Sequence, residues 1–101
     1  MWILAMFDLP TDTKRARHDY AMFRKHLLND GFTQMQYSVY ARHTPSKENA
    51  EVHIRRIKWN TPPEGEVRVL SITDKQFERM LVFLGKTRKK PEAAPAQLEL
   101  F

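Results

Sequence analysis

The chain opens on a continuous apolar run, Trp2 to Phe7, of strand length. A run with no polar alternation fits a strand covered on both faces in the middle of a sheet. The polar turn Asp8-Leu9-Pro10-Thr11-Asp12-Thr13 closes it, and its side chains suit capping. Lys14 to Asn29 carries helical period, with Ala16, Tyr20, Phe23 and Leu27 recurring at steps of four, three and four. Gly31 follows, where a helix commonly ends in the left-handed conformation. From Phe32 to His43 the period becomes two, with Met35, Tyr37, Val39 and Ala41 on one side and Gln36, Ser38, Tyr40 and Arg42 on the other. The stretch is long for one strand, so two strands meeting near Gln36–Ser38 are expected.

Thr44-Pro45 reads as a helix start, and Ala50, Ile54 and Ile57 give the second helix its apolar stripe. Thr61-Pro62-Pro63-Glu64-Gly65 is a sharp break. Val67 to Thr73 is a further strand, Asp74 caps a short helix through Met80, and Leu81 to Leu84 is a brief apolar strand. The order is β-α-β-β-α-β with one extra short strand. This predicts an α+β, ferredoxin-like fold with an antiparallel sheet and both helices on one face. The other sheet face must then be polar, bind a ligand or pack on another copy.

At 101 residues the chain is one small domain. Such a chain buries only about 60–65% of the surface exposed by its unfolded form. The pattern divides it into a folded unit over 1–85 and a basic, Pro/Ala-rich flexible tail with an apolar tip over 86–101. With no cysteine, thiol catalysis, disulfides and thiolate zinc sites are excluded, and a cytoplasmic setting is the simplest. No apolar run approaches the roughly 20 residues of a membrane span. The net charge of +5 points to an anionic partner, nucleic acid first. Residues 86–101 carry Lys86, Arg88, Lys89 and Lys90 against Glu92 and Glu99, so the tail holds +2 of that excess.

Asp8 stands out on chemical grounds. It follows an apolar strand directly and borders a loop, where a carboxylate can hold a hard cation such as magnesium. It could equally begin the turn or help to cap the first helix. Phosphodiester chemistry with two metals needs several converging carboxylates, and one chain is short of them. A symmetric dimer bringing two copies of Asp8 together would supply the second. Lys14, Arg15 and Arg17 crowd the first turns of the first helix, where the helix dipole favours acids. They are either a phosphate contact or solvated surface charge. The four histidines show no close ligand spacing and read as surface or boundary residues, and Arg55 and Arg56 as an exposed flank. No P-loop, G-x-G-x-x-G, H-E-x-x-H or G-x-S-x-G motif occurs, and the aromatic signature of RNA-recognition modules is missing.

Phe7-Asp8-Leu9-Pro10-Thr11, then Lys14-Arg15-Ala16-Arg17, Phe23-Arg24-Lys25 and Leu27-Leu28, closely resembles the small CRISPR-associated spacer-acquisition proteins, the endoribonuclease-type partners of the CRISPR integrase. Gly31-Phe32, Gln36-Tyr37-Ser38-Val39-Tyr40-Ala41-Arg42 and Thr73-Asp74-Lys75-Gln76 fit the same family, most of all its type II members. The resemblance covers about residues 1–84. It implies a homodimer packed sheet to sheet, with the last strand, here Leu81–Leu84, often crossing to the partner. It matches Asp8 to the family's metal-binding acidic residue, with a divalent metal such as magnesium at the dimer axis. Some members are metal-dependent endonucleases acting on RNA or DNA. In spacer acquisition the dimer bridges integrase dimers and holds the protospacer duplex. Lys14, Arg15 and Arg17 match residues that touch DNA backbone, and Arg42 joins them as a candidate nucleic-acid contact. A toxin-like metal-dependent mRNA endonuclease of the same fold is the alternative. The tip Gln97-Leu98-Glu99-Leu100-Phe101 resembles the peptide with which bacterial replication and repair proteins bind the sliding clamp, and docking on the integrase is the competing reading.

Overall fold

The computed structural model describes residues 1–86. The element order is β1 (Trp2–Asp8), α1 (Lys14–Asn29), β2 (Thr33–Gln36), β3 (Val39–His43), α2 (Lys47–Asn60), β4 (Glu66–Ile72) and α3 (Asp74–Glu78). The four strands form one sheet in the order β2-β3-β1-β4, antiparallel throughout, which is the ferredoxin-like arrangement. The hairpin turns at Tyr37-Ser38, where two strands were expected to meet, and an irregularity between Gln34 and Gln36 shifts its register.

Thr13 caps α1 by accepting from the Ala16 N–H at 3.0 Å; Ser46, not the expected Thr44 before Pro45, caps α2 by accepting from the Asn49 N–H at 3.0 Å, and Thr73, not Asp74, caps α3 by accepting from the Gln76 N–H at 3.1 Å. The expected positions Ala16, Tyr20, Phe23 and Leu27 are the buried ones of α1. They meet Ile3, Ala5 and Phe7 from β1, Tyr40 from β3 and Ile57 from α2. Phe7 is the aromatic centre of this core, with ring centroids 5.7 Å from Tyr20, 5.2 Å from Phe23 and 5.6 Å from Tyr40. Such ring pairs add roughly 0.5–1.5 kcal/mol each beyond area burial.

Three further sequence expectations are corrected. β1 is central, but only alternate residues are fully buried, because both helices cover one face of the sheet. On the other face Trp2, Leu4 and Met6 are half-covered, and Leu70 of β4 is half-exposed. Leu81–Leu84 form no strand within the chain. They are exposed, and Leu81–Phe83 instead run beside Leu4, Met35 and Val39 on the open face. A strand needs a free backbone edge, and this segment lies over a sheet face. Third, His53 is buried at 5% exposure, whereas His18 and His43 are exposed and His26 half-buried.

His53 is buried because its ring has a hydrogen-bond partner. Asp30 ends α1, its N–H donating to the His26 carbonyl at 2.9 Å. Its carboxylate lies 2.7 Å from His53 Nδ1 and accepts from Arg56 Nη1 at 2.7 Å. Arg42 Nη1 donates to the Asp30 carbonyl at 2.7 Å. The Arg42 guanidinium lies across Gly31 (φ +85°), where a Cβ would fall 1.8 Å from Nη1. One acid thus ties the end of α1 to α2, and its own main chain is tied to β3. Around α3, Trp2 stacks on Phe77 at 3.8 Å, and Asp74 receives the Met1 amino group at 2.9 Å and lies 3.2 Å from His43. Among the described residues no helix is long and apolar enough to cross a membrane. The tail proposed over 86–101, with Gln97, Leu98, Leu100 and Phe101 at its tip, lies outside the described residues beyond Lys86.

Burial opposes ionisation of Asp30, but hydrogen bonds and charge from His53 and Arg56 prevail and hold its carboxyl below the usual carboxylate range. The stabilisation is therefore present above the unfolded value of about 3.9 and is lost as pH falls through the lower folded value. Asp30→Ala is expected to lower stability by about 3 kcal/mol at neutral pH. Urea unfolding should show the variant and wild type converging in strong acid; a gap that persists there would contradict this assignment.

Candidate nucleic-acid and metal interface

Asp8 is placed by what precedes and follows it. Phe7 is locked among three rings, and Leu9 is buried at 7% exposure, so the exposed Asp8 carboxylate is held between two anchored neighbours. Its register partner on β4 is Glu66. Like charges directly opposite destabilise a strand pair. Glu66 relieves part of this by accepting from Arg68 Nε at 2.5 Å, whereas Asp8 has no such partner among the described residues. Gly65 makes the close approach possible. At φ +95° its missing Cβ would lie 2.7 Å from Leu9 Cδ2 and 2.8 Å from the Asp8 carbonyl oxygen.

The loop from Leu9 to Thr13 connects Asp8 to the start of α1. Arg17 Nη1 donates to the Thr11 carbonyl at 3.3 Å, so this half-buried guanidinium helps to fix the loop. Lys14 and Arg15 are exposed, and the first turn of α1 contains no acid. A cavity of about 70 Å³ lies beside them, walled by Leu9, Pro10, Arg15, Tyr20, Pro62 and Pro63. Burial pushes the Tyr20 phenol up to about 12, against an opposing hydrogen bond with Ser38, so it stays protonated at neutral pH and does not serve as a base there.

The structure gathers Asp8, Lys14, Arg15 and Arg17 at one end of the sheet. It separates Arg42 from them. Arg42 pairs in register with Ile3 near the opposite end of β1, and its guanidinium is engaged at Asp30. The β-period placed Arg42 on the face of Tyr40 correctly but could not show that this face turns toward α1. Sequence reading did not single out Gly65 or Glu66; the only signal was the break at Thr61–Gly65.

Among the described residues no three His, Cys, Asp or Glu side chains converge as a metal set. The oxygen donors of Asp8 suit a hard divalent cation, and the carboxylate set opposite it in register is that of Glu66. A cation here needs ligands from outside the chain, namely water, substrate phosphate or a second copy. The open apolar face of the sheet runs up to this end, with Leu4, Met6 and Val39 on it.

Comparison with known proteins identifies relatives of the whole chain. The family model described as CRISPR associated protein Cas2 matches residues 1–80. The CRISPR-associated endoribonuclease Cas2 of Parvibaculum lavamentivorans is 60% identical over 101 residues, covering 100% of both chains. Its namesake from Flavobacterium psychrophilum is 48% identical over 100% of this chain and 88% of its own length. That of Paracidovorax avenae is 40% identical over 100% of this chain and 94% of its own. The crystal structure of Streptococcus pyogenes Cas2 at pH 6.5 superposes with a TM-score of 0.62 at 22% identity, covering 84% of this chain and 100% of that one, a likeness of fold.

Gly65→Ala should strain the backbone and push the start of β4 off the Asp8 carbonyl. A loss of about 1–3 kcal/mol in urea unfolding is expected, together with shifted amide resonances at Asp8 and Leu9. Unchanged stability would show that the close approach is not needed.

Proposed function

The chain belongs to the CRISPR-associated Cas2 family, and from that membership we propose that it serves CRISPR adaptation as a dimer that holds a protospacer duplex between integrase subunits. The observation that carries this reading is the junction of two surfaces at Asp8. An apolar sheet face without helix cover meets a helix start whose exposed charges, Lys14 and Arg15, are cationic. The first surface suits a second copy of the chain, and the second suits phosphate. Contacts from Lys and Arg to backbone phosphates carry no sequence information. A component that must accept DNA of any sequence needs contacts of that kind.

Exposed cations at a helix start also act with the backbone N–H groups there, which favour anions. Arg17 contributes indirectly by fixing the Thr11 carbonyl and with it the loop between Asp8 and Lys14. Two Asp8 carboxylates brought together by dimerisation would hold a magnesium ion, which supplies charge neutralisation at phosphate and an activated water when bound. The endoribonuclease names of the relatives are consistent with that chemistry. In this reading cleavage is secondary to the platform role, since among the described residues no three carboxylate or imidazole side chains of one chain converge as a metal set.

Two variants test the reading. Lys14→Ala with Arg15→Ala should weaken duplex binding and flatten its salt dependence by about two units of slope, one for each lost phosphate contact. An unchanged slope in a fluorescence-anisotropy titration would remove these residues from the interface. Asp8→Ala should abolish magnesium-dependent cleavage and leave spacer integration by the reconstituted integrase complex intact. Loss of integration with dimer and integrase binding preserved would overturn the platform reading.

A further inference from the structure

Trp59 is 85% exposed at the end of α2, and among the described residues its ring meets no other aromatic ring. The chain's other tryptophan, Trp2, is stacked on Phe77 at 3.8 Å. A fully hydrated indole costs solubility and contributes nothing to the core, so its surroundings show what it suits. Along the helix, Arg55 lies one turn before Trp59 and Lys58 is its neighbour, and both are exposed. Arg56 is excluded because its guanidinium is engaged at Asp30. The nearest acid on this helix, Glu51, lies about 12 Å up the axis at 1.5 Å per residue. α2 leads into β4, which begins opposite Asp8, so the chain that follows Trp59 returns toward that end. Pro62 and Pro63, just beyond Trp59, wall the same cavity as Arg15.

We propose that Trp59, flanked by Arg55 and Lys58, is a stacking contact for an unpaired base of a single-stranded segment running on from the nucleic acid held at Lys14 and Arg15. The proposal rests on the nucleic-acid reading above and adds the strand form and the residue that recognises it. Stacking needs a base with a free face, which a paired base inside a duplex lacks, and the adjacent cations complement the phosphates on either side of that base. A protein partner would favour an apolar patch around the indole, but its helix neighbours Arg55, Lys58 and Asn60 are polar and exposed.

The test uses the full chain and three probes: an oligothymidylate, a blunt duplex, and that duplex with single-stranded thymidine tails. Trp59 emission is isolated in Trp2→Phe, and independently as the difference between wild type and Trp59→Ala. The oligothymidylate and the tailed duplex are expected to quench Trp59. Trp59→Ala should lose roughly tenfold in affinity for both, while Trp59→Phe retains most of it. Blunt-duplex affinity should be unchanged in both variants. Binding of the oligothymidylate with Trp59 emission unmoved, or equal affinity in Trp59→Ala, overturns the proposal. So does quenching that appears only when the integrase is added, which would make Trp59 a protein contact. Failure of the blunt duplex to bind wild type would instead count against the platform reading, and the oligothymidylate result is read separately from it.

Discussion

Burial of the Phe7 ring organises this molecule. It meets Tyr20 and Phe23 of α1 and Tyr40 of β3, so one side chain joins the central strand, the first helix and the hairpin. The next residue in the chain is Asp8. Because side chains alternate along a strand, a Phe7 fixed toward the helices obliges Asp8 to project to the other side at the strand end. The exposed carboxylate is held in place by the core beside it, and Leu9 and Gly65 confine the main chain that follows.

The same geometry divides the charges by task. At one end of the sheet, Asp30, His53, Arg56 and Arg42 are engaged with one another, and they join α1, α2 and β3. At the other end, Lys14 and Arg15 stand in solvent at the start of α1. Charges paired inside the fold hold its geometry, whereas hydrated charges of one sign can draw in a polyanion. A net charge alone does not separate these two populations. The engagement of Arg42 and Arg56 leaves a smaller set of cations for recognition, among them Lys14 and Arg15 at the Asp8 end.

The uncovered sheet face is the other consequence of the topology. Two helices cross the same side of four strands, and the opposite side keeps Trp2, Leu4 and Met6 half-covered and Leu70 half-exposed. The segment from Met80 to Leu84 adds further exposed apolar area. Such an extent of exposed hydrophobic surface on a small domain suits an interface better than solvent.

Much of this was legible before any coordinates. The 3.6-residue period of Ala16, Tyr20, Phe23 and Leu27 gave the buried face of α1, the polar turn ending at Thr13 marked the start of that helix, and the element order gave the ferredoxin-like topology. These features are local, written in side-chain periodicity and backbone preference. Asp8 and the basic cluster were found for the same reason, since they adjoin in sequence. What the chain alone left open depends on contacts between distant residues. His53 is buried because Asp30, 23 residues away, hydrogen-bonds its ring, and Arg42 is engaged because a glycine on another element leaves it room. Leu81–Leu84 have strand composition but no strand edge within one chain. Composition and period determined the elements and the cationic helix start; only the tertiary structure decided which charges are paired and which sheet face stays uncovered, because pairing and cover belong to residues that sequence holds apart.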